Sequence, residues 1–201
     1  MTDPTPPLFW ITSRAAGTTA MLLASATVGI GLVMSGKLVK GSGSDRRAIH
    51  EVISLATMVA IVVHALSLIG DRYLHPSLLD VTVPFLSSYK TLPTSIGIIA
   101  GWGLIFLGLS YYARRRIRIA RWRVLHRFTL LVWVGGLIHT FTEASDAGKL
   151  WFVALIVLTA APGAGLLIAR VVRPRLRLSS SRSTAQPGAP VHRRSALRSA
   201  G

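Results

Sequence analysis

Five apolar stretches, each close to the length that crosses a bilayer, alternate with short polar segments along this chain. A hydrocarbon core about 30 Å thick takes roughly 20 residues of helix. Residues 15–35 carry no charge, and residues 50–69 carry only Glu51 at their start. Residues 91–113 are uncharged, residues 124–142 contain only Arg127, and residues 150–169 are interrupted by Pro162 and nearby glycines. Trp10, Trp122 and Trp151 fall near span ends, where amphipathic rings anchor at the lipid–water boundary. The pattern predicts an all-α integral membrane bundle of five transmembrane helices. It divides the chain into a short N-terminal segment (1–9), a transmembrane domain (10–170) and a basic, disordered tail (171–201). Ala24-Ser25-Ala26 looks like a signal-peptide cleavage site, but the leader MTDPTPP has an acid and no base, so the first span is expected to be retained.

Composition agrees with lipid as the solvent: 51% of residues are apolar and 15% charged, with a mean hydropathy of +0.52. A net charge of +16 on a soluble surface would point to nucleic acid. Here it gathers in blocks that flank apolar spans, RRRIRIARWRVLHR (residues 114–127) and the segment 173–201, each with seven Arg and no acid. Basic residues in short loops mark the cytoplasmic side. The segment 36–49 holds Lys37, Lys40, Arg46 and Arg47 against Asp45, and the arginine block follows the third span. The segments 70–90 and 143–149 are balanced or acidic. These alternations place the N-terminus outside and the C-terminus in the cytoplasm, in a multi-pass cell-membrane protein whose basic segments meet lipid head groups and not nucleic acid.

Four of the six histidines lie inside predicted spans: His50 and His64 on the second, His126 and His139 on the fourth. An ionisable side chain at membrane depth is costly and marks a candidate site. One alone could be a helix–helix hydrogen bond. Two per helix, on helices that run in opposite directions, place His50 beside His126 at one depth and His64 beside His139 at another. His50 and His64, fourteen residues apart, are separated by about 21 Å and return to nearly one face at about 100° per residue. His126 and His139, thirteen apart, differ by about 220°, so a distortion is expected between them, with Gly135-Gly136 the candidate. No cysteine is present, which excludes disulfides, thiolate metal sites and iron–sulfur clusters. Two imidazoles above and below one iron, the arrangement of a b-type haem, fit a sulfur-free apolar bundle, whereas zinc would want further ligands.

These features resemble the ferric reductase-like transmembrane domain shared by ferric reductases, NADPH oxidases and the membrane subunit of the periplasmic methionine sulfoxide reductase system. The likeness rests on H50-x13-H64, on LHR-x11-H over residues 125–139, and on SRAAG at residues 13–17, and covers about residues 10–170. It implies two b-type haems with His50 paired to His126 and His64 to His139 as axial ligands. It also makes Arg14 and Arg127 candidates for haem propionates, against their plain readings as an interfacial arginine and a member of the positive-inside block. Such proteins often continue into a flavin and nicotinamide domain. The roughly thirty residues after the fifth span are too few and too polar to fold as one, so a separate flavoprotein or a quinol is expected as donor. Leu68 stands where oxygen-reducing members often carry a further histidine, which turns the expectation toward ferric iron or a partner reductase as the outer acceptor. His75, before Pro76, is expected at the surface, and His192 in the tail is expected to be idle.

The leading expectation is therefore a membrane electron-transfer protein, the haem-bearing component of an oxidoreductase. Two other classes stay open: a transporter that uses buried histidines for protons or metal ions, and a structural subunit whose histidines join helices. The first would be expected to carry acids within its spans, where only Glu51 qualifies.

Overall fold

The structure, a computed structural model, describes residues 5–36, 43–71 and 73–183. Lys37, Lys40, Arg72 and His192, which figured in the reading of topology and tail, lie outside these residues. Among the described residues eight helices follow in order: α1 (Thr5–Gly36), α2 (Gly43–Ile69), α3 (Leu78–Thr82), α4 (Thr91–Leu109), α5 (Arg114–Ile117), α6 (Ile119–Arg127), α7 (Thr129–Glu143) and α8 (Leu150–Ser183). Among the described residues there is no strand. Five of the described segments are long and apolar enough to cross a membrane: Leu8–Gly36, Gly43–Ile69, Thr91–Leu109, Ile119–Glu143 and Leu150–Val172. The protein is an all-α membrane protein with five such spans. Of the described residues, those up to Leu166 form one compact unit and those from Leu167 a second; the helix α8 extends past residue 170 as far as Ser183.

α1 and α2 outrun their apolar windows at their starts, whereas α4 and α8 begin where the windows do. α1 begins ten residues before residue 15, and α2 takes in Asp45, Arg46 and Arg47. Polar side chains do not end a helix at the lipid boundary, because the intrahelical bonds still satisfy every backbone N–H and C=O there. At the far end of α4 the helix stops at Leu109 and continues in tighter turns, with Tyr111 and Tyr112 donating to Gly108 and Leu109 at 3.1 and 3.0 Å.

Within the first unit α1 packs along α2, α4 along α7, and α1 also meets α7. The seam around α1 consists of Ala20, Met21, Ala24, Val28 and Leu32, all buried. Trp133 of α7, 2% exposed, reaches this seam and donates from Nε1 to the Ser25 hydroxyl at 3.1 Å, which in turn donates to the Met21 carbonyl at 2.9 Å. A buried indole is therefore satisfied without water. α8 presents Phe152, Ile156 and Ala160 inward, and its Gly163 lies where an added Cβ would meet Val28 and the Gly29 backbone at 3.6–3.9 Å. Small residues let membrane helices approach this closely. Many apolar side chains face outward, Val52, Val59, Leu66, Phe106 and Leu131 among them, a surface that suits lipid and not water.

The distortion between His126 and His139 is real but not at Gly135-Gly136, where α7 runs uninterrupted. It falls at Phe128, between α6 and α7. The Phe128 N–H turns back to Leu125 at 3.0 Å, a tight i→i−3 bond, and the Thr129 hydroxyl donates to the His126 carbonyl at 2.6 Å. The expectation misread glycine: in lipid it serves close approach, and Gly135 faces Ile96 and Ala100 on α4.

Candidate functional site

The four span histidines meet in two pairs. The rings of His50 and His126 have centres 6.2 Å apart with planes at 79°. Those of His64 and His139 are 6.4 Å apart at 70°. α2 thus contributes one member to each pair, α6 supplies the second member of the first pair and α7 that of the other.

Each pair is too wide for the rings to be bonded to one another. A ring-to-ring N–H···N bond of about 2.9 Å would put the centres about 5.2 Å apart. A single metal atom between two ring nitrogens, at bonds of about 2.0–2.1 Å with about 1.15 Å from nitrogen to ring centre on each side, puts them about 6.4 Å apart. Both observed separations match the second case.

Side-chain surroundings fix which nitrogen is available. The Nδ1–H of His64 donates to the Ser13 carbonyl at 2.8 Å, and the Ser13 hydroxyl donates to the His64 carbonyl at 3.2 Å. The Nδ1–H of His139 donates to the Pro93 carbonyl at 3.0 Å. A histidine whose Nδ1–H is taken by a carbonyl keeps the lone pair on Nε2, the form in which imidazole binds a metal. On the other pair the Nδ1 atoms of His50 and His126 are buried without a hydrogen bond. The carbonyls that face them, of Thr27 and Leu107, stand outside hydrogen-bond geometry. Trp122 of α6 stacks on His126, centres 5.1 Å apart at 26°. It was expected only as an interfacial anchor, and its one-turn spacing from His126 was the signal for this second contact.

A bare ion would lack ligands here, since among the described residues no group of three or more His, Cys, Asp or Glu could hold one. A porphyrin brings four nitrogens of its own and asks the protein for two. The donor set and the ring spacing therefore fit haem better than a free metal ion.

Of the two candidate arginines, Arg14 follows Ser13, whose carbonyl holds His64, and Arg127 follows His126. Arg14 makes an ion pair with Asp146, in the turn before α8, and lies over the Trp10 ring at 4.2 Å. Asp146, 7% exposed, also holds Lys149 at 3.0 Å. Lys149 and Arg14 keep its carboxyl below the usual carboxylate range. Arg127 is exposed at the end of α6, and His75 is exposed in the segment between α2 and α3. Glu51 accepts from the Tyr112 hydroxyl at 2.7 Å.

The fold and its paired sites define a five-span helical membrane protein with two inter-helix histidine pairs. No protein-family model, no curated protein and no solved structure matches the chain.

Proposed function

We propose that this is a membrane electron-transfer protein that binds two b-type haems, one between His50 and His126 and one between His64 and His139, in the manner of the ferric reductase-like transmembrane domain that its motifs resemble. The observation that carries the reading is the pair of ring separations, 6.2 and 6.4 Å, which match one metal atom between two imidazoles. Haem b, when bound, supplies a one-electron Fe(III)/Fe(II) couple. Two such centres at histidine levels about 21 Å apart along α2 suit transfer across a cell membrane, from a separate flavoprotein or a quinol on the cytoplasmic side to ferric iron or a partner reductase outside.

The protein's own residues prepare this. The carbonyls of Ser13 and Pro93 hold the rings of His64 and His139 with Nε2 free. Trp122 covers one face of His126. The lipid-facing apolar surface and the buried seam of α1 and α7 keep water from the interior, which strengthens the interactions that fix each ring. A transporter moving protons or metal ions through these histidines would want acids beside them. Glu51 is instead engaged by Tyr112.

The test is a pyridine haemochrome assay on purified protein grown with haem supplied. Two haems per chain are expected, with a b-type difference spectrum on reduction by dithionite. A ratio near zero overturns the proposal, and such a protein would fall to the transporter or structural class.

A further inference from the structure

Three of the four histidines meet a glycine, and in each case the same glycine stands four residues after the carbonyl that faces the ring. His64 donates to Ser13, and a Cβ on Gly17 would come within 2.9 Å of its Nδ1. His139 donates to Pro93, and a Cβ on Gly97 would overlap its ring. His50 faces Thr27, and a Cβ on Gly31 would lie 3.3 Å from its Cε1. The stretches are SRAAG, PTSIG and TVGIG, over residues 13–17, 93–97 and 27–31.

Helix geometry explains the offset. A carbonyl at position i already accepts the N–H of i+4 but keeps a second lone pair directed outward. The Cβ of i+4 tilts toward the helix N-terminus and covers the turn before it. Glycine at i+4 uncovers that lone pair and lets another helix bring an imidazole N–H onto it. We propose that Gly17 and Gly97 are positioning residues: each exposes the carbonyl of Ser13 or Pro93 to a paired histidine and so orients the ring, leaving Nε2 for the ligand, whereas Gly31 only makes room for the His50 ring, whose Nδ1 has no hydrogen bond. The two copies on α1 are fourteen residues apart, as are His50 and His64 on α2, so one antiparallel register of α1 on α2 serves both levels. His126 is the exception. The Leu107 carbonyl that faces it lies in the last turn of α4, where it also accepts from the Ser110 hydroxyl at 2.6 Å.

The role of Nε2 rests on the two-haem reading; the orientation of the rings does not. The experiment therefore has two readouts on the full chain. Nitrogen-15 NMR of histidine-labelled protein without haem reads the tautomer: His64 and His139 are expected in the Nδ1–H form in the wild type. Gly97→Ala should release His139 from that form, and Gly17→Ala should release His64, while Gly29→Ala and Gly165→Ala, where a Cβ meets nothing within 4 Å, should change neither. In haem-loaded protein, EPR and redox titration should show that Gly97→Ala and Gly17→Ala weaken the same component, the one that His139→Ala removes, by about 10–100-fold in haem retention. Gly31→Ala, with the looser contact, should keep both haems and shift the potential of the other component. Unchanged tautomers in Gly97→Ala and Gly17→Ala overturn the inference, as does loss of both components equally in every glycine variant, controls included. Absence of haem in the wild type with the tautomers fixed as expected overturns the two-haem reading alone.

Discussion

His64 and His139 are held from outside their pair by backbone carbonyls, whereas His50 and His126 have buried Nδ1 atoms without a hydrogen bond. The two pairs are therefore chemically unequal, because a bond from Nδ1–H raises the basicity of the opposite nitrogen. Under the proposed function, this inequality resolves the two centres in a redox titration. His64→Ala and His139→Ala are expected to abolish one and the same component, and His50→Ala and His126→Ala the other. If the His50 and His64 variants lose the same component, the pairing is wrong. The identity of these four residues could be read from the chain, since ionisable groups at membrane depth are few. Their orienting partners could not be read in the same way: a carbonyl is carried by every residue, and only the glycine four positions later marks the ones that are open.

Between elements, the sequence made five spans legible because lipid leaves a helix no alternative to apolar side chains and internal hydrogen bonds. The break inside the fourth span was anticipated but misplaced, since Phe128 and Thr129 carry no proline or glycine to announce it and their role depends on the hydroxyl bond to His126. Also hidden was the tie between α1 and the turn before α8, in which Asp146 gathers Arg14 and Lys149 from positions far apart in the chain. Its carboxyl is held below the usual range by these two cations, so the unfolded chain binds a proton there more readily than the folded one. The stabilisation is complete above the unfolded carboxylate value of about 3.9 and is lost as pH falls through the lower folded value. Asp146→Asn should therefore lower Tm by a constant amount between neutral pH and about pH 5, and the gap should begin to narrow as pH falls below about 4. A gap of unchanged size at about pH 3 would show that Asp146 acts through packing and not through charge.

For the molecule as a whole, the spans fix how many times the chain crosses but not which way. Orientation rests on charge: the arginines from Arg114 to Arg127 and the bases at the start of α2 lie at one end of their helices, and Asp71, Asp80 and Asp146 lie in the segments at the other. Translocating the first group would carry many cations through hydrocarbon, each at about 2.5–3.5 kcal/mol on insertion scales, so we propose that they stay in the cytoplasm and that the N-terminus is outside. Under the proposed function, this orientation would set the His50–His126 level on the donor side and the His64–His139 level on the acceptor side. The absence of cysteine makes this directly measurable, because any introduced thiol is the single one in the chain. Ser44, exposed near the start of α2, and Ser88, exposed between α3 and α4, lie on opposite sides in the proposed topology. In intact cells a membrane-impermeant maleimide should label Ser88→Cys at once and Ser44→Cys only after the membrane is opened. Labelling of Ser44→Cys in intact cells, with Ser88→Cys protected, would invert the protein and with it the direction in which the two histidine levels face donor and acceptor.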